Sequence, residues 1–218
     1  MSGPFRLVTA GDSVVIVELE ERIDPDVNAR AVALARLIRA SRLQGLRDVV
    51  PTYRSVAVYF DPLRTDYARL LSLLEGGANS PTNPEGCGSE PIQVPVRYGG
   101  EEGPDLSHIA WRAGLSEDEV IDIHCATTYR VYMLGFLPGF AYMGTVDPRI
   151  ATPRLAAPRV RVRAGSVGLA ERQTGIYPVD SPGGWLLIGR SLLEPYDLSR
   201  RDPFLFQAGD LVRFHRVA

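Results

Sequence analysis

Several groups of side chains in this 218-residue sequence have types and spacings suited to chemistry. His124 closes a segment of helical spacing and stands just ahead of TTYRVYMLGFLPGFAYMG. An imidazole there suits general acid or base work at a pocket formed by the following loop; the plain alternative is a capping or packing histidine. The loop GFLPGFAYMG, residues 135–144, holds three glycines, one proline and three aromatic residues. Gly139 permits close backbone approach, while Phe136, Phe140 and Tyr142, around Pro138, supply flat apolar walls. A barrel corner packed by its own aromatics fits the composition equally well.

Downstream, Arg149, Arg154, Arg159, Arg161 and Arg163 follow one another with no acid between them. Alternation of Arg159, Arg161 and Arg163 with Val160 and Val162 puts the charges on one face of a strand. They read as a solvated face, as a site for a carboxylate or phosphate, or as a surface for an acidic partner. Gln173, Thr174, Tyr177 and Ser181 lie in a second turn-rich run and could donate to an anion or carbonyl.

Other chemistry is excluded or weak. All 24 basic residues are arginine. That removes a phosphate-loop lysine, a Schiff-base lysine and a biotin-carrying lysine from this chain. His108, His124 and His215 have no second ligand at zinc spacing, so no metal is expected. AGSVG at 164–168 lacks the first glycine of a nucleophile elbow and reads as a turn between strands. A net charge of −2 gives no electrostatic case for nucleic acid. The uncharged run Val131–Val146 is too short to span a bilayer, and MSGPFRLVTAGDS lacks a signal-like apolar block. With only Cys87 and Cys125, a cytoplasmic protein with reduced thiols is expected.

Charge and punctuation divide the chain. Residues 1–75 carry ten arginines and ten acids, residues 76–128 two and nine, and residues 129–218 twelve and seven. Strands are expected at 5–9, 13–19, 48–53, 55–60 and 92–97. One helix is expected after the Asp24-Pro25 cap, and another from Thr65 that stops at Gly76-Gly77. This is the β-α-β-β-α-β order of a split βαβ unit, although the strand at 92–97 could belong to either side of the flexible segment 76–91. Asp105–Leu115 reads as a helix, and Ser116 with Glu119 forms a capping box for another. Short apolar runs at 128–134, 160–170, 174–179, 185–190 and 211–217 predict a β-barrel or sandwich.

These motifs together carry a resemblance. The stretch from His124 through VYMLGFLPGFAYMG, then TPRLAAPRVRVRAGSVGLAERQTGIYPVDSPGGWLLIGR, closely resembles the allophanate hydrolase subunit 1-like family, also called the PxpB/KipI family. VPVRYGGEEGPDL (94–106) and FQAGDLVRF (206–214) match it as well. Two departures stand out: Arg163 occupies a usual proline position, and Glu171-Arg172 replaces a glycine-containing pair.

The resemblance implies an α+β chain, with a ferredoxin-like domain over 1–91 and a cyclophilin-like β-barrel over 92–218. It implies a subunit of a prokaryotic ATP-dependent 5-oxoprolinase, working with a subunit 2-like (PxpC) protein and a PxpA-like lactam-utilisation protein. ATP would be bound at the level of the complex, on this chain or a partner. The alternatives within the family are a carboxyltransferase-type subunit of a urea carboxylase system and a KipI-like kinase inhibitor. For the first of these the chain expects a separate biotin carrier. On this reading His124 transfers protons. Phe136, Pro138, Gly139, Phe140, Tyr142, Arg154, Arg159, Gln173, Thr174 and Tyr177 line a cleft that a partner completes. That account requires His124 and the Arg149–Arg163 stripe to share one concavity.

Overall fold

The protein is represented by a computed structural model that describes residues 5–80 and 90–218. The chain separates into two compact units, Met1–Gly86 and Cys87–Ala218.

The first unit is a four-stranded antiparallel sheet with two helices. Its strands are β1 (Arg6–Thr9), β2 (Val14–Glu18), β3 (Leu46–Pro51) and β4 (Ser55–Phe60), in the order β1-β2-β4-β3. Helix α1 (Pro25–Ala40) starts as its sequence dictates: the Asp24 carboxylate accepts from the Asp26 and Val27 amides, and Pro25 opens the first turn. Val56, Val58 and Phe60 share one face of β4 and are buried with Val15, Val17, Leu34 and Ile38.

Helix α2 (Tyr67–Asn79) does not stop at Gly76-Gly77. It runs on because Gly77 is where α1 crosses: a Cβ there would lie 2.5 Å from Leu34 Cδ1. The glycine permits helix approach instead of ending the helix.

In the second unit, β5 (Ile92–Tyr98), β6 (Thr128–Leu134), β7 (Ala141–Gly144), β9 (Ser166–Ala170), β10 (Gln173–Ile176), β12 (Leu186–Ser191) and β13 (Leu211–Arg216) close a barrel in the order β10-β7-β6-β13-β5-β12-β9. The strand at 92–97 therefore belongs to the barrel, where β5 pairs parallel to β13 and antiparallel to β12. In the sheet of the first unit, the N-terminal strand β1 holds the edge beside β2 that the β-α-β-β-α-β reading gives to residues 92–97. Strands β8 (Arg159–Val162) and β11 (Ser181–Gly183) form a separate two-stranded sheet.

Helices α3 (Leu106–Ala113) and α4 (Glu117–Ala126) pack Leu106, Ile109, Val120 and Ile121 into the barrel core. Both halves of the Ser116–Glu119 capping box are made. The second half of the 135–144 segment is strand, not loop, because Ala141 and Met143 point into the core with Val131 and Val167. Gly165, at φ +84°, turns the chain between β8 and β9, and Ser166 opens β9 as a buried residue. Cys125 is a half-buried free thiol; Cys87 and most of segment 76–91 lie outside the described residues. Among the described residues, no helix is long and apolar enough to cross a membrane.

Candidate functional site

Period-two alternation sorts the candidate residues onto two sides of the barrel wall. Val167, Leu169, Ile176, Leu186 and Ile188 face the interior. Their neighbours Gly168 and Gly175 face outward, where a second cluster of Phe140, Tyr177, Trp185 and Leu187 covers them. A Cβ on Gly175 would lie 2.8 Å from the Ala141 carbonyl oxygen and 3.2 Å from Phe140 Cζ; one on Gly168 would lie 3.0 Å from Trp185 Cβ. Glycine at both positions lets the aromatic rings sit directly on the sheet.

His124 belongs to the interior. It lies in the last turn of α4, is 0% exposed, and packs 4.6 Å from Phe214 and 5.2 Å from Tyr129, centroid to centroid. Tyr98 Oη lies 2.7 Å from Nδ1, and Thr174 Oγ1 lies 3.0 Å from Nε2. Thr174 Oγ1 donates its own proton to the Gly168 carbonyl at 3.1 Å. It must then accept from His124 Nε2–H, which leaves Nδ1 to accept from the Tyr98 hydroxyl. The Cys125 thiol donates to Tyr98 Oη at 3.5 Å. Burial holds the imidazole neutral, with its pKa pushed down to about 3, and drives the Tyr98 phenol upward.

The outward group gathers around Phe140. Its ring meets Tyr142 at 4.9 Å, Tyr177 at 5.3 Å and Trp185 at 5.3 Å, all edge-on. Gly139, at φ +83°, brings the preceding loop against Tyr196 and Pro178. Phe136 and Pro138 are exposed, and Phe136 holds φ +68°, a conformation that costs a bulky residue energy. Burial raises the Tyr142 and Tyr177 phenols, and the positive charge of Arg154 pulls both the other way. Arg154 itself is exposed, and among the described residues no carboxylate pairs with it. Gln173 opens β10 opposite Ala170 and Gly144.

The structure thus brings together Phe136, Phe140, Tyr142, Arg154 and Tyr177, with Arg159 beside them. It does not bring His124 and Thr174 to the same surface. His124 is enclosed in the core, whereas Arg149, Arg154, Arg161 and Arg163 are exposed.

Three arginines of the stripe are paired, one by a near neighbour in the chain and two by acids from other segments. Arg149 pairs with Asp147, Arg161 with Asp180, and Arg159 with Asp105 at 2.7 Å. Val160 is 91% exposed, so β8 does not bury both valines.

Asp105 is the residue that sequence reading passed over. It stands at the N-cap of α3 yet makes no side-chain cap bond. One carboxylate oxygen takes Arg159; the other accepts from the Leu187 amide at 2.6 Å. A helix-start aspartate reads as a cap from sequence, and nothing local reveals that its carboxylate is used elsewhere.

Similarity to known proteins agrees with this architecture. The profile of the family described as "Carboxyltransferase domain, subdomain C and D" matches residues 5–206. The chain belongs to that family. Within the carboxyltransferase subdomain C and D family, it is 36% identical to the 5-oxoprolinase B subunit of Bacillus subtilis (strain 168), over all of this chain and 95% of that protein. It is 37% identical to the 5-oxoprolinase B subunit of Escherichia coli O157:H7, over 96% and 94%. The solved structure of TTHA0988 superposes with a TM-score of 0.86 at 41% identity, covering 94% of this chain. This chain spans only 40% of TTHA0988, so the same fold also occurs as part of a much longer chain.

Proposed function

We propose that this chain is the B subunit of an ATP-dependent 5-oxoprolinase, which opens the lactam of 5-oxoproline to give glutamate. The observation that carries the reading is the end-to-end match to two 5-oxoprolinase B subunits at 36% and 37% identity. The residues fit a subunit that cannot work alone. His124, the best acid–base candidate, is enclosed and neutral, so it acts as a strut and not as the proton-transfer group.

The exposed groups of the outer cluster bind and shape; they do not transfer protons near neutral pH. In this reading Arg154 holds an anionic part of the reacting molecule beside Tyr142 and Tyr177, with Arg159 held behind them by Asp105. Phe136 and Pro138 form the exposed rim against which a subunit 2-like partner closes. A PxpA-like protein completes the assembly. A lactam is opened by water only after activation, and ATP supplies that activation. With no lysine on this chain, any phosphate-binding lysine of the nucleotide site belongs to a partner.

The test is reconstitution. Co-purification of the chain with its subunit 2-like and PxpA-like partners, followed by an assay of glutamate release, should give turnover that requires ATP and all three proteins. An assembled complex that releases no glutamate would overturn the reading.

A further inference from the structure

The sheet of the first unit has two edges, β1 and β3, and only β3 is closed. The Thr52 amide donates to the Ser55 carbonyl across the β3–β4 ladder. By antiparallel alternation residue 50 also bonds to β4, while Val49 and Pro51 turn their main-chain groups outward. Each outward group that could start a new ladder is dealt with. The Val49 amide donates to Asp48 Oδ1 at 2.7 Å, and Arg39 donates to the Val49 carbonyl. Pro51 has no N–H to offer. Side chains on the main chain and an edge proline are devices that keep strands from pairing.

The β1 edge carries none of them. The Ala10 amide donates to the Val14 carbonyl, so residues 6, 8 and 10 bond toward β2. The next ladder agrees: Leu19 donates to the Arg54 carbonyl and Phe60 to that of Ser13, which leaves the even-numbered residues of β2 for β1. Leu7 and Thr9 therefore turn their N–H and C=O groups to the open edge. Among the described residues no main-chain group bonds to them.

The outer face of the same sheet supplies a second observation. Val15, Val17, Val56 and Val58 pack toward α1, with Leu34 and Ile38. On the opposite face Val8, Ile16, Ala57 and Val50 are successive cross-strand partners. They form one half-buried apolar row across all four strands, and it runs out to the open edge at Val8.

We infer that β1 pairs antiparallel with β1 of a second copy of this chain, about a two-fold axis at Val8. In that register Leu7 of each copy meets Thr9 of the other as a hydrogen-bonded pair, and every outward group of both strands is satisfied. Val8 meets Val8 as the close, non-hydrogen-bonded pair, so the apolar row continues into the second sheet. Arg6 stands opposite Ala10, and no like charges face each other. A register slipped by two residues, either way, sets Arg6 or Ala10 against Val8 and loses the valine pair. With β3 closed, pairing of this sheet stops at two copies and does not run on into a filament. The contact uses none of the barrel residues discussed above, so it stands or falls separately from the proposed reaction.

Sedimentation equilibrium of the isolated full-length chain, over about 1 to 100 μM, tests the inference. A reversible dimer is expected. Thr9→Pro removes an outward N–H and leaves the β1–β2 ladder intact, while Val8→Lys and Val8→Glu each set like charges across the axis. The axis doubles every change, so each variant should weaken pairing about tenfold or more. An equimolar mixture of the Val8→Lys and Val8→Glu chains should recover the dimer, a result that misfolding could not produce. Leu63→Glu, at a side chain that is 94% exposed elsewhere in the unit, should leave the dimer unchanged. A chain that stays monomeric over this range overturns the inference. So does a dimer that survives Thr9→Pro and both Val8 variants, or a mixture of the two Val8 variants that remains monomeric.

Discussion

His124 Nε2 lies 3.0 Å from Thr174 Oγ1, while its Nδ1 lies 2.7 Å from the Tyr98 hydroxyl. Tyr98 ends β5 and Thr174 sits on β10, and two strands, β9 and β12, separate these in the barrel order. The imidazole is therefore a polar strut across the barrel interior. Its hydrogen bonds run in one direction, from Cys125 through Tyr98, His124 and Thr174 to the Gly168 carbonyl.

A strut of this kind has a pH signature. The folded imidazole stays neutral down to about pH 3, whereas an unfolded histidine takes up a proton near pH 6.5. Between those values the unfolded state binds the extra proton, so stability is full above about pH 6.5 and falls as pH drops, by about 1.4 kcal/mol per unit. Denaturant titrations from pH 7.5 to 5 should show this slope, and His124→Gln should remove it. Thr174→Val, which leaves the buried Nε2–H without an acceptor, should cost about 1–3 kcal/mol at neutral pH. In the assembled complex, no limb of the pH–rate profile should disappear on changing His124 to Gln.

Asp105 is predicted to control Arg159. Its carboxylate holds both the guanidinium and the Leu187 amide. Asp105→Ala removes both and leaves a partly buried cation, at a cost of about 3 kcal/mol. Asp105→Asn can retain the bond to the amide, so about half of that loss should be restored. Chemical denaturation of the two variants separates the contributions.

The glycine floor beneath the aromatic cluster predicts a steric effect. Gly175→Ala puts a methyl group 2.8 Å from the Ala141 carbonyl oxygen and against Phe140. Strand separation or ring displacement must follow, at a cost of about 1–3 kcal/mol. Near-ultraviolet circular dichroism should change, since Phe140, Tyr177 and Trp185 all report on that surface.

Glu171 opens the two-residue connection between β9 and β10 at φ +54°. A left-handed conformation costs a residue with a Cβ about 1 kcal/mol that glycine avoids. Glu171→Gly is expected to stabilise the chain by about 0.5–1 kcal/mol, read as a higher denaturation midpoint with an unchanged slope.

Phe136 is 62% exposed and packs only edge-on against Phe140, at 5.7 Å. Phe136→Ala should leave the stability of the isolated chain within about 0.5 kcal/mol. If the ring serves the partner, the same change should weaken assembly with the subunit 2-like protein about tenfold or more, as analytical ultracentrifugation would show.

What depends on neighbours along the chain is legible without the folded molecule. The Asp24-Pro25 start of α1, the Ser116–Glu119 box of α4 and the burial of Val56, Val58 and Phe60 follow from short-range hydrogen bonding and side-chain period. The long motif from 124 to 190 carried the family, and the absence of lysine excluded specific phosphate and carrier chemistry from this chain. The other questions concern residues far apart in sequence, and folding alone answers them. Gly77 continues a helix since α1 crosses there, and residues 92–97 join the barrel since β13 and β12 flank them. The arginine stripe reads as free charge until Asp105 and Asp180 are folded against it. His124 and Arg154 read as members of one site until the fold packs the imidazole between Tyr129 and Phe214 and leaves the guanidinium exposed. Sequence spacing records which residues share a face of one element; which side of a closed sheet that face meets is settled when the last strand pairs.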